Sequence, residues 1–216
     1  VNKMDRIGAN FHDVLHQMRT RLGAEAVAVQ LPIGVEDSFR GVVDLITQKA
    51  WVYTDELGRE GEEIPIPDDM VELVGKFREH LVVSLADINP ELEEKFFAGE
   101  EPTVEEMRAT VRSATVACKL VPVLSGSSLK NKGVQPLLDA IVGYLPSPLE
   151  TPPVIGEHPK KGVPEERRPL PDEPFTALAF KVASDPFVGQ LTYIRVYAGT
   201  LRKGERVLNA DKGERE

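Results

Sequence analysis

The chain has 216 residues, a 41% hydrophobic content and a net charge of −9, enough for one large domain or parts of two with an ordinary globular core. That acidic balance argues against a free-standing nucleic-acid binder, which would carry a basic patch or stripe, although a local face still permits docking on a ribonucleoprotein. One cysteine, Cys118, excludes an internal disulfide and a cysteine metal cluster, and no apolar run approaches the ~20 residues of a membrane span, so the cytosol or an organelle matrix is the expected compartment.

The chain opens on Val1-Asn2-Lys3-Met4-Asp5, an N-K-x-D pattern of the kind a GTP-binding fold uses to read guanine. Asp5 in the plane of the base accepts from N1–H and the exocyclic amine. Asn2 bonds the N7/O6 edge, and the stem of Lys3 lies across the base face; Met4 is expected to point inward. Adenine leaves the carboxylate unpaired, and such sites discriminate by roughly 10⁴–10⁵. By itself the tetrapeptide fits a polar turn as readily as a base reader. It does, however, follow an apolar residue that reads as the end of a buried strand and precedes an amphipathic helix, the context in which ligands sit at the carboxyl ends of a parallel sheet.

That helix carries Phe11, Val14, Leu15, Met18 and Leu22 on one stripe, with Asn10 as N-cap and Gly23 as stop. Val27, Val29, Leu31 and Ile33 then alternate as one half-buried strand. The run 41–54 reads as two strands of a β-meander, with Gly58 and Gly61 in the following turn and Ile64-Pro65-Ile66-Pro67 at an edge. A helix from Asp68 points Val71, Val74, Phe77, Leu81 and Leu85 inward, and a short acidic helix follows Pro90. Thr103 opens a third, with Glu106 completing a capping box and Val104, Met107, Val111 and Cys118 on one face, so that Cys118 is expected as a buried thiol.

Leu120–Leu124 predicts a second short strand, ending in Ser125-Gly126-Ser127-Ser128-Leu129, small residues whose amides can approach a base oxygen, before a helix over Val134–Leu145. A βαβ unit spans about 30 residues, and the two loops lie much farther apart, so residues 36–113 read as an inserted α+β subdomain. Nine of the 17 prolines fall between Pro146 and Pro174, giving an extended linker that includes Lys160-Lys161. Alternating residues from Phe175 to Val182 and from Leu191 to Ala198 predict the opening strands of a β-barrel.

Several of these segments, in this order, resemble translation elongation factor G. Asn2-Lys3-Met4-Asp5-Arg6 is similar to its guanine-specificity motif, and Leu31-Pro32-Ile33-Gly34 with Phe39-Arg40-Gly41-Val42-Val43-Asp44-Leu45 to the lead-in of its inserted subdomain. Gly126-Ser127-Ser128-Leu129-Lys130-Asn131-Lys132-Gly133-Val134-Gln135 resembles its second base loop, and Asp185-Pro186-Phe187-Val188-Gly189 its second domain. Family members usually carry alanine where Ser128 stands. The role there is a backbone N–H to guanine O6, which serine keeps, while its hydroxyl could crowd the pocket or add a bond.

The resemblance implies an α/β fold: the C-terminal half of a P-loop-type GTPase domain with an inserted α+β subdomain, then the start of an all-β barrel. The expected parts are 1–35 and 114–147 for the GTPase domain, 36–113 for the insertion, 148–173 for the linker and 174–216 for the barrel strands. It further implies guanine-binding roles for Asn2, Lys3, Asp5, Ser127 and Ser128, with GTP or GDP and Mg²⁺ as cofactors. The implied activity is GTP hydrolysis on the ribosome, coupled to movement of tRNA and mRNA, by a monomer that meets ribosomal RNA and stalk proteins and no membrane.

No G-x-x-x-x-G-K-[ST] phosphate loop occurs in the 216 residues. The parent is therefore expected to carry one ahead of Val1, and the chain alone to be inactive, with no catalytic residue and weak guanine affinity. Gly75-Lys76 lies within a helix. Asp55-Glu56-Leu57-Gly58 fits D-x-x-G but reads as a hairpin turn. His12, His16, His80 and His158 read as surface or packing residues. Two alternatives stay open: a release or ribosomal-protection GTPase of the same superfamily, and a non-hydrolysing ribosome-interaction module that uses the acidic helices between Asp68 and Glu106.

Overall fold

The computed structural model describes residues 1–55, 57–158 and 162–216. Glu56 of the D-x-x-G pattern and Lys160-Lys161 of the expected linker lie outside the described residues. The chain forms two units, Val1–Leu145 and Pro146–Glu216.

In the first unit, helix α1 (Phe11–Leu22) starts where the Asn10 side chain accepts from the Asp13 amide and stops at Gly23 in the left-handed region, φ 60°. Phe11 and Leu15 are buried, but Val14 is partly exposed and Leu22 is 75% exposed. The buried stripe is thus narrower than the periodicity predicts, because the last turn runs past the edge of the core.

The predicted single strand over 27–33 is two strands in two sheets. β1 (Ala26–Ala28) pairs in parallel with the later strand at Val121–Val123. β2 (Gln30–Ile33) pairs antiparallel with β3 (Gly41–Asp44). Val29 is the joint: its amide donates to Val123 O and its carbonyl accepts from Leu45 N, both at 3.0 Å. Residues 26–31 are all buried, as expected for strands covered on both faces.

The meander continues through β4 (Lys49–Tyr53) and β5 (Gly61–Ile64), giving the sheet order β2-β3-β4-β5. This sheet takes in Gln30–Ile33, ahead of residue 36. α2 (Val71–Ala86) packs against β1 and buries Val74, Leu81, Val82 and Leu85. Val71 is exposed, contrary to the periodic pattern, because the 3₁₀ turn Asp68–Met70 brings Met70 inward in its place.

α3 (Pro90–Ala98) is capped by Asn89 and has proline at its first turn. α4 (Val104–Val116) carries the predicted capping box: Glu106 N donates to Thr103 Oγ1 at 3.2 Å and Thr103 N to Glu106 Oε2 at 2.9 Å. Cys118 does not share the buried face of α4. It follows the helix in the left-handed region, φ 54°, and is exposed. β6 (Val121–Val123) completes the parallel pair, and α5 (Val134–Tyr144) ends the unit with no buried residue and Val142 81% exposed.

The second unit differs from its prediction at both ends. The expected linker 148–173 contains an antiparallel hairpin, β7 (Val154–Glu157) with β8 (Pro164–Arg167). The expected barrel start is a long hairpin, β9 (Thr176–Asp185) with β10 (Gly189–Ala198), and a short pair, β11 (Leu208–Asn209) with β12 (Glu214–Arg215). These are separate two-stranded ladders. Among the described residues of this unit Ala198 is the only buried apolar side chain, so the hairpins rest on local pairing, which is marginal for an isolated two-stranded element.

Candidate functional site

Backbone pairing brings the N-terminal tetrapeptide against the loop after β6. Val1 N donates to Leu124 O at 2.6 Å, Gly126 N to Val1 O at 3.0 Å and Met4 N to Gly126 O at 3.1 Å. Met4 is fully buried beneath, as expected, and anchors the loop to the core.

Side chains then tie the two loops together. Asn2 Oδ1 accepts from Lys3 N at 2.7 Å and from Ser128 N at 3.0 Å, and its Nδ2 donates to Ser128 Oγ at 3.0 Å. The Ser128 hydroxyl, which the sequence left free to crowd the pocket, is turned to Asn2. The Ser128 amide, expected to serve a base oxygen, is engaged by Asn2 as well. A base oxygen would have to share that donor.

Ser127 is fully buried. It exchanges two backbone bonds with Lys132, at 2.8 and 3.0 Å, and its hydroxyl accepts from Lys130 N at 3.2 Å, which closes the loop on itself. Asp5 stands beside it. The Ser127 hydroxyl holds the Asp5 carboxyl below the ordinary range; partial burial opposes this, while the Asp5 amide and the Lys130 and Arg6 cations add to it. Asp5 is therefore an anion at neutral pH. Its Oδ1 is shielded from solvent. Lys3 is exposed and has a left-handed backbone, φ 65°, a strain that persists only where surrounding bonds over-determine it.

All five predicted base-site residues therefore fall on two loops that touch. A cavity of about 150 Å³ is walled by Asn2, Ser125, Ser127, Ser128 and Leu137, among others, and Lys3 and Asp5 stand outside it. A larger cavity of about 530 Å³ among Gln30, Asp44, Arg108, Asp139 and Tyr144 includes none of the five.

Residues 1–147 match the family described as the elongation factor Tu GTP-binding domain. The chain belongs to that family. It is also similar to a crystal structure of a protein from Thermus thermophilus, with 28% identity and a TM-score of 0.65 over 93% of this chain and 27% of that one. The chain thus spans about a quarter of that protein's length. Membership in the elongation factor Tu GTP-binding domain family makes this a translational-GTPase-type domain for which guanine nucleotide is the expected ligand.

Other candidate motifs of this family member resolve as structural. Asp55 caps the tip of the β4–β5 hairpin: Oδ1 accepts from Arg59 N and Glu60 N at 2.8 and 3.0 Å, and Oδ2 from Leu57 N at 3.2 Å. His80 contacts Arg19 at 2.8 Å, and His12 packs on Phe77. Among the described residues no three His, Cys, Asp or Glu side chains converge as a metal-binding group. Among the described residues no helix is long and apolar enough to cross a membrane.

The sequence reading passed over a second set of residues. Glu36 N donates to Met4 O at 2.9 Å, and Glu36 Oε1 accepts from Gly8 N at 2.7 Å. Gly58 O accepts from Asn131 Nδ2 at 3.1 Å and Gln135 Nε2 at 3.2 Å, and Tyr53 OH donates to Gln135 Oε1 at 2.8 Å. Burial raises the Tyr53 phenol pKa, so the donor stays protonated. The one local signal was the glycine of the D-x-x-G pattern, which adopts φ 60°.

Proposed function

We propose that Asn2, Lys3, Asp5, Ser127 and Ser128 read the guanine of GTP and GDP in a translational GTPase of the elongation factor G type. The single observation that carries this reading is the reciprocal bonding of Asn2 and Ser128, which sets the Asp5 carboxylate beside Ser127 where the two loops meet. The fit to the base is chemical. Beside Ser127, Asp5 carries a carboxylate whose lowered pKa keeps it an acceptor-only anion, and such a group is best matched by a pair of adjacent donors. Guanine's N1–H and exocyclic amine are donors of that kind.

Asn2 Nδ2 has a second hydrogen for the N7 edge, and the Lys3 stem can cover the base face. GTP supplies the scissile phosphoanhydride, with Mg²⁺ bound to its phosphates. These residues bind and select the base, and no hydrolytic step is assigned to them. The whole protein would hydrolyse GTP on the ribosome as tRNA and mRNA are moved, as a cytoplasmic monomer in contact with ribosomal RNA and stalk proteins.

The test is a titration of the isotopically labelled 216-residue chain with millimolar GDP, IDP and ADP, followed by backbone amide shifts. GDP is expected to move Lys3, Asp5, Ser127 and Leu129. IDP lacks the exocyclic amine and should bind about tenfold or more weakly, from the loss of a bond to a charged acceptor. ADP should leave these amides in place. Equal shifts with ADP would overturn the reading.

A further inference from the structure

The two base loops are held from outside by the insertion, and each grip uses a different device. The first loop is gripped at Glu36, which adopts φ 54° just after the chain leaves β2. Its amide fixes Met4 O and its carboxylate fixes Gly8 N, so one residue spans both sides of Asp5. The second loop is gripped by the β4–β5 hairpin. Gly58 O sits between the side-chain amides of Asn131 and Gln135, and Tyr53 locks Gln135 from behind.

The approach at Gly58 leaves no room for a side chain. A Cβ there would lie 2.5 Å from Asn131 O and 2.6 Å from Lys130 O, and φ is 60°. Both obstacles are backbone of the very turn that closes Ser127 on Lys132. Next to Gly58, Asp55 accepts from the amides of Leu57, Arg59 and Glu60. None of Glu36, Tyr53 and Gly58 is among the five base-reading residues.

We propose that Glu36, Tyr53 and Gly58 are positioning residues through which the insertion sets the geometry of both guanine-reading loops. The nucleotide part of this proposal rests on the base-site reading above; the loop-ordering part does not. Binding energy between hairpin and loop is therefore shared with nucleotide affinity, and by reciprocity GDP should quiet the hairpin as the hairpin quiets the loop.

The test uses the full chain carrying Glu36→Ala, Glu36→Gln, Tyr53→Phe or Gly58→Ala, and reads amide hydrogen exchange without nucleotide. The amides of Val29, just after β1, and of Val123 in β6 serve as the internal reference for the fold. Gly58→Ala is expected to speed exchange at Ser127 and Lys132 roughly tenfold or more, and Tyr53→Phe to do so by a smaller factor, while Val29 and Val123 keep their protection. Glu36→Ala should do the same at Met4, and Glu36→Gln, whose Oε1 still accepts from Gly8, should restore it to within about twofold.

In a parallel GDP titration, loss of one or two bonds should weaken binding by about three- to tenfold. Should Gly58→Ala fail to fold, Tyr53→Phe and Glu36→Ala still decide the matter. Unchanged exchange at Ser127, Lys132 and Met4 in folded variants would overturn the proposal. Accelerated exchange in a chain whose wild type does not prefer GDP to ADP would sustain the brace and count against the base site alone.

Discussion

Asn2 and Ser128, 126 positions apart in the chain, exchange two hydrogen bonds of 3.0 Å, one donated by each. This makes the two loops one surface, and it distributes the cost of mutation unequally. Ser128→Ala removes the Asn2 Nδ2–Oγ bond alone and should cost about 0.5 kcal/mol, since the pair is exposed. Asn2→Ala removes that bond, the Ser128 N–H acceptor and the Lys3 N–H acceptor, and should cost about 1–2 kcal/mol. Urea unfolding checks both, and equal losses would show that the pair does not couple the loops. Ser128→Ala should also keep or improve GDP affinity, because it releases Asn2 Nδ2 toward the base.

Lys3 pays for its place with backbone strain. A left-handed non-glycine residue costs roughly 1–2 kcal/mol, and glycine returns about 0.5–1 kcal/mol of that as chain entropy. Lys3→Gly should therefore leave stability unchanged or raise it by up to about 1 kcal/mol, while GDP binding weakens through loss of the stem. A fall in both would mean that Lys3 has a structural role.

Acid should loosen the contact between α3 and α4 through Glu106. Lys95, at 2.6 Å, and then the Thr103 amide pull its pKa from 4.5 to about 2. A folded pKa below the unfolded one means that the stabilisation is full above about pH 4.5 and is lost as pH falls toward 2. The urea midpoint should drop across that window in wild type, and Glu106→Gln should flatten this part of the profile. An identical slope in the variant would remove Glu106 as a cause.

Cys118 tests the end of α4. It is exposed and left-handed, so a thiol reagent should titrate it in the native protein about as fast as in urea, whereas a buried thiol would be protected. Cys118→Gly should be neutral or stabilising by up to about 1 kcal/mol.

Features decided within one helical turn were legible in the sequence. Asn10, Gly23, and the Thr103–Glu106 pair act on their own neighbours, and all sit where the pattern put them. The break at Val29 was not legible, because the apolar run continues through it unaltered and only its partners, Val123 and Leu45, divide it between two sheets. Cys118 followed the helical period on paper but lies past the last turn. The β7–β8 hairpin was hidden in a proline-rich, charged stretch whose second strand, Pro164–Arg167, has no apolar alternation to announce it. At the site, the five residues proposed to read the base could be named from two motifs. Glu36, Tyr53 and Gly58 could not, since their partners Met4, Gln135 and Asn131 lie far along the chain.

The central claim is that the Asp5 carboxylate reads the base, and the most direct measurement is nucleotide preference in Asp5→Asn. The amide can donate to the C2 oxygen of xanthine, where the carboxylate can only accept. GDP binding by the variant should fall and XDP binding should rise until XDP is preferred, with amide shifts at Ser127 and Leu129 following the preferred nucleotide. An Asp5→Asn chain that keeps the wild-type order, GDP ahead of XDP, would contradict the account.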